Sequence, residues 1–158
     1  MPAKRYSLLG RLIFSLFIVG LVFTSNISSQ ALEREEKALE DCFRIIQNCF
    51  IQEDAGKLAE VLPVDYKIEL RMGFLPPSSG FFSPSQVFYI WQMLFIENDT
   101  LDFELNKRDI YAVSSNVTIL QARWSFSGKD SLKIRRLTLY FSLSKQANRW
   151  VIGKIRAK

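Results

Sequence analysis

Within residues 132–144 the chain alternates from Arg136 onward, with Leu137, Leu139, Phe141 and Leu143 on one side and Arg136, Thr138, Tyr140 and Ser142 on the other. A period of two over that length buries one face of an extended strand and leaves the other in water. Residues 101–107 repeat the pattern, with Leu101, Phe103 and Leu105 set against Asp102 and Glu104. Residues 110–126 carry turn-like Ser114-Ser115-Asn116 inside them and read as two strands or one bulged strand. Residues 150–155 form the last strand, and Ser127-Gly128-Lys129-Asp130 and Gln146-Ala147-Asn148 supply the turns. Strands joined by turns this short pair antiparallel. Such a sheet needs an apolar cover on one face.

The first half of the chain supplies that cover. In residues 32–52 Leu32, Leu39, Phe43, Ile46 and Phe50 recur at three- and four-residue spacing, while Glu33, Glu35, Glu36, Glu40 and Asp41 crowd the early turns. This is an amphipathic helix with acids placed to suit its dipole. Asp54-Ala55-Gly56 breaks it, and residues 57–62 read as a short second helix stopped by Pro63. Residues 64–72 alternate for nine positions as a half-buried strand, and residues 73–80, with Pro76-Pro77-Ser78-Ser79-Gly80, read as a loop. Ser83 as N-cap, Pro84 in the first turn and Gln86 three residues on form a capping box. The helix it opens runs to about Asn98, with Val87, Ile90, Trp91, Leu94 and Phe95 on one face. Helices gathered on one face of an antiparallel sheet make an α+β domain.

Residues 1–31 stand apart. Lys4, Arg5 and Arg11 open the chain without an acid, an apolar run follows, and Ser29-Gln30-Ala31 ends it with small side chains at the first and third positions. That is the pattern of a secretory signal. The expected organisation is a signal over 1–31 and one domain over 32–158. Export leads to the periplasm or the outside of the cell. The alternative is an uncleaved anchor to the inner membrane through residues 8–24, although Arg11 leaves the run short of the ~20 apolar residues a spanning helix needs.

Without Lys4, Arg5 and Arg11 the chain holds 18 basic and 16 acidic residues, near +2 rather than the full-length +5. That balance gives no support to nucleic-acid binding. The distribution is lopsided: residues 31–72 hold ten acids and six bases, and residues 110–158 hold ten bases and Asp130 alone as acid. Lys154, Arg156 and Lys158 at the end are read as solvated rather than as a lipid contact. Cys42 and Cys49 are seven apart on one helix, about 10 Å by the helical rise, beyond the ~7 Å reach of a disulfide. They are expected as buried thiols. Histidine is absent, and two thiols alone make no zinc site, so neither metal nor cofactor is expected.

The element order, together with Ile68-Glu69-Leu70, Phe82-Ser83-Pro84-Ser85-Gln86, Leu94-Phe95 and Asn148-Arg149-Trp150-Val151-Ile152, resembles the nuclear transport factor 2-like superfamily. Within it, residues 68–95 are similar to exported bacterial proteins grouped as domain of unknown function 4783. Leu94, where that group favours a second phenylalanine, and the Pro76-Pro77 loop depart from the pattern. The resemblance implies a curved antiparallel sheet wrapped around a long N-terminal helix as a cone. It also implies three classes of function. Enzymes of the superfamily set acid–base groups on the cone wall, for which the weak candidates are Asp65, Tyr66 and Tyr89, with Tyr111 and Arg123 beside them. A carrier would hold a small apolar ligand in a cavity lined by Phe43, Trp91, Phe95 and Phe141. An interaction module would self-associate, or bind an envelope protein, through the outer sheet face. That face would present Gln121, Arg123 and Ser125 beside Arg136, Thr138 and Tyr140. The third class is the leading expectation, without catalysis.

Overall fold

The computed structural model describes residues 33–74, 79–131, 133–147 and 149–158. The signal segment 1–31 and its boundary, Leu32, the Pro76-Pro77 loop, Leu132 and Asn148 lie outside them. The chain divides into two compact units, 1–37 and 38–158. In the first, residues 33–37 are helical and exposed.

Helix α1 (residues 33–51) buries Cys42, Phe43, Ile46, Cys49 and Phe50, the face its spacing marks out. It ends at Ile51, one residue short of the expected end at Gln52. Glu53 takes a left-handed φ of 53°, Asp54 N–H donates to the Cys49 carbonyl (2.9 Å), and Glu53 N–H donates to that of Phe50 (3.3 Å). This is a Schellman ending with glutamate where glycine is usual, and the Glu53 carboxylate is held by the Thr100 amide. Asp54 then caps α2 (Ala55–Ala59), its carboxylate accepting from Gly56 N–H at 2.9 Å. The short helix therefore starts and stops earlier than residues 57–62.

Strand β1 (Ile68–Arg71) is half the length its alternation predicts. Val64 is 72% exposed. The segment before the strand is tied elsewhere: Ile152 N–H donates to Val61 O at 2.8 Å, and the Arg149 guanidinium donates to Leu62 O at 3.4 Å. Strand β2 (Ser79–Phe82) occupies part of the expected loop and pairs antiparallel with β1, Gly80 opposite Leu70. Helix α3 (Pro84–Glu97) has the full capping box: Gln86 N–H donates to Ser83 Oγ, and Ser83 N–H donates to Gln86 Oε1.

Four strands complete the sheet: β3 (Asn98–Ser114), β4 (Val117–Gly128), β5 (Ile134–Gln146) and β6 (Arg149–Ala157). Ser115 and Asn116 make the turn between β3 and β4, so Ile110 belongs to β3, whose pairing slips at three irregularities. The sheet order is β2-β1-β6-β5-β4-β3. Every seam is antiparallel except β1 on β6. This parallel seam amends the wholly antiparallel expectation. It joins strands far apart in sequence, which no hairpin connects.

The inner face carries Leu120, Ala122, Trp124 and Phe126 from β4, Leu139, Phe141 and Leu143 from β5, and Ile152 and Ile155 from β6, all buried. Helices α1 and α3 cover it, and Phe50 stands at the middle. Its ring stacks on Phe103 (4.2 Å between centroids) and meets Trp91, Trp124, Phe95 and Phe141 edge-on at 4.9–6.0 Å. Phe50→Ala removes that hub from a dense interior. It is expected to cost about 3–5 kcal/mol, read as a lowered urea midpoint in equilibrium unfolding.

Candidate functional site: the outer sheet face

The inner cone offers little room. Phe43, Trp91, Phe95 and Phe141, the expected cavity lining, are all buried and packed into the cluster that Phe50 joins. Trp124 donates its indole N–H to Thr100 Oγ1 at 3.1 Å, whereas the buried indole N–H groups of Trp91 and Trp150 have no partner among the described residues. Among the described residues, hollows lie at the margins. One of about 530 Å³ runs between the α1–α2 elbow, α3 and Lys129, with Glu53, Asp54, Phe88 and Gln92 on its walls. Another, of about 300 Å³, lies between α1 and Leu105.

The acid–base candidates are scattered. Asp65 is exposed in the segment before β1. Tyr66, next to it, turns to the outer face and shares a 2.9 Å hydrogen bond with Ser144 Oγ. Tyr89 projects from α3 at 60% exposure, and Tyr111 from β3 at 53%. Arg123 pairs with Glu104 at 3.2 Å. No hydrogen bond or ion pair joins any two of these five among the described residues. Nor do the described residues contain a cluster of three or more metal-ligating side chains. Cys42 and Cys49 are buried and unbridged, and burial pushes each thiol up to about 12, leaving neither as a nucleophile near neutral pH.

On the outer face the strand register brings the expected residues together. Gln121 stands opposite Tyr140, Arg123 opposite Thr138, and Ser125 opposite Arg136. The same rows extend past the strands that the sequence places together. Tyr140 is opposite Arg156 on β6, and Arg156 is opposite Arg71 on β1. One row across the face therefore reads Arg71, Arg156, Tyr140, Gln121. The next reads Glu69, Lys154, Ser142, Ile119, Tyr111. Lys158 lies over the Tyr140 ring, 5.9 Å from its centre. Tyr66 closes one end of the face, near Gly153 and Ser144.

Arg71, Glu69, Lys154 and Arg156 belong to this surface but escape a reading of local pattern. Their meeting depends on the parallel β1–β6 seam, which spans more than eighty residues of sequence. Glu69 is the hub of their electrostatics. It pairs with Lys154 at 2.8 Å and with Arg71, and the hydrogen bond from Lys154 foremost, then that from Arg71, holds its carboxyl below the usual range.

No family model matches the chain, and no curated protein does. Solved structures do. A domain of unknown function 4783 family protein from Bacteroides ovatus aligns at TM-score 0.55 and 14% identity, covering 71% of this chain and 89% of its own. A ketosteroid isomerase-like protein from Erwinia carotovora atroseptica aligns at TM-score 0.59 and 12% identity, covering 77% and 92%. The chain has a nuclear transport factor 2-like fold. A nuclear transport factor 2-like protein of unknown function from Shewanella baltica, at TM-score 0.54 and 10% identity, covers 78% and 92%. At such identities the likeness carries the fold and no activity.

The Glu69 arrangement has a measurable consequence. A carboxyl that titrates below its unfolded value of about 4.3 stabilises the fold above that pH, and the contribution is lost as pH falls through the folded value. Glu69→Gln should therefore lower stability at pH 7. The difference from the parent should close as the pH is brought below 4, in paired urea titrations across that range.

Proposed function

We propose that this protein is an exported, non-catalytic binding module of the cell envelope that works through the outer face of its sheet. The observation that carries the reading is the register of that face. It sets Arg, Tyr and Gln side chains side by side on rigid strands, a composition suited to protein contact, while aromatic rings take up the inside of the cone. The outer face has two candidate occupants, a second copy of the chain and a different envelope protein.

The surface assignment is tested by photo-crosslinking in the native cell. A benzoylphenylalanine replacing Tyr140 or Gln121 should give a discrete protein adduct, and one replacing the more exposed Tyr89 on α3 should not. Adducts from Tyr89 alone would move the binding surface to the helical side and overturn the reading.

Carriage of a small apolar ligand is a second reading, favoured by the interior Trp91 indole N–H, unpaired among the described residues, and the hollow of about 530 Å³ beside α3. Native mass spectrometry of the protein isolated from its host addresses this reading and export together. The export reading expects a chain beginning at Leu32, whereas retention of residues 1–31 would favour the anchored form. A retained small molecule would favour carriage, and its absence would count against it.

A further inference from the structure

We propose that the occupant of the outer face is an acidic segment of another polypeptide, carrying apolar side chains among its carboxylates, rather than the same face of a second copy. The inference rests on the outer-face reading above and adds the partner's chemistry. Its basis is the balance of charge on the face. Glu69 alone answers both Arg71 and Lys154, and Glu104 answers Arg123. Asp102, opposite Ser125 on β4, is a further acid of the face, while Arg156 and Arg136 are exposed and form no ion pair among the described residues. The face therefore carries cations in excess, concentrated where Arg71 and Arg156 stand on neighbouring strands about 4.8 Å apart.

Twofold pairing of this face would set that excess against itself. An isologous contact repeats the same patch on both sides, and like charges brought together out of water oppose association. A carboxylate-bearing partner meets the opposite situation. Each free guanidinium is a planar fork matched to a carboxylate, and each can be paired without displacing Glu69 or Glu104 from its present partner.

The face is also more than a cationic patch. Tyr140 and Gln121 adjoin Arg156, and the neighbouring row adds Ser142, Ile119 and the exposed Tyr111. Aromatic, aliphatic and neutral hydrogen-bonding groups thus separate the cations. A polyphosphate would use the charges and leave these groups idle, and the small excess is far from the strongly basic surface that nucleic acids select. A peptide with acidic and apolar side chains uses both sets.

The test measures binding of a fluorescent glutamate–tyrosine copolymer to the purified full chain at about 0.15 M salt, with polyphosphate and phosphatidylglycerol vesicles as competing probes. The copolymer should bind in preference to both. Arg156→Glu and Arg136→Glu should each weaken binding by about tenfold or more, while Arg44→Glu, the same charge change on the exposed side of α1, should leave it within about twofold. Circular dichroism confirms that each variant is folded. Equal loss in Arg44→Glu would reduce the effect to net charge and overturn the proposal. So would stronger binding of either competing probe. A dimer broken by Tyr140→Glu and tightened by Arg156→Glu would overturn the acidic partner while keeping the outer face as the contact surface. Absence of copolymer binding together with absence of adducts from Tyr140 would remove both.

Discussion

The ring of Phe50 is the contact on which the remainder of the molecule depends. It is contributed by the long first helix, yet its neighbours come from α3 and three strands of the sheet: Trp91, Phe95, Phe103, Trp124 and Phe141. Edge-to-face and stacked packing of this kind is directional as well as apolar, so the hub fixes how the helix lies against the strands. Once it is filled, the inward faces of β3, β4 and β5 are committed to the core. Their alternate side chains have only the opposite face to occupy. The outer surface is in this sense a by-product of the core.

That division sorts the candidates for function. Groups that could carry acid–base chemistry would need to converge on a protected, partly apolar recess. Here Asp65 and Tyr66 precede β1 while Tyr89, Tyr111 and Arg123 sit on α3, β3 and β4, and Tyr66 spends its hydroxyl on Ser144. The two thiols are sealed in the helix–sheet interface. What does converge is a flat array ordered by strand register. An array of long polar side chains on a rigid sheet is poorly suited to enclosing a small substrate and well suited to meeting another surface.

Much of this was legible in the sequence where the signal was local. The capping box at Ser83, Pro84 and Gln86 specified the start of α3 because its two hydrogen bonds join residues three apart. Period-two alternation specified β4 and β5, and with a short turn between them it also placed Gln121, Arg123 and Ser125 beside Tyr140, Thr138 and Arg136. Non-local features escaped. Ser79 and Gly80 are turn residues by propensity and enter β2 only because β1 offers them a ladder. Residues 64–67 alternate like a strand but follow Val61 and Leu62, whose carbonyls are bonded to β6, and Tyr66 bonds to Ser144. Glu53 gives no hint of a left-handed conformation, which is held in place by a carboxylate contact to Thr100, nearly fifty residues on.

The parallel β1–β6 seam is the feature furthest from local pattern, and it ties the stability of the sheet to the character of its outer face. The seam sets Glu69 opposite Lys154 and Arg71 opposite Arg156. Its first step is therefore complementary and its second is repulsive. Glu69 relieves part of that repulsion by reaching toward Arg71 as well as Lys154, which leaves Arg156 solvated and unanswered. Arg156 forms no ion pair among the described residues, so it is poorly explained by stability. Lys or Arg beside a second cation is ordinarily a cost to the folded chain, and a neutral side chain at 156 would keep the ladder with Tyr140 intact. A residue that burdens the fold slightly while presenting a free guanidinium beside an aromatic ring is better accounted for by what it can meet than by what it holds.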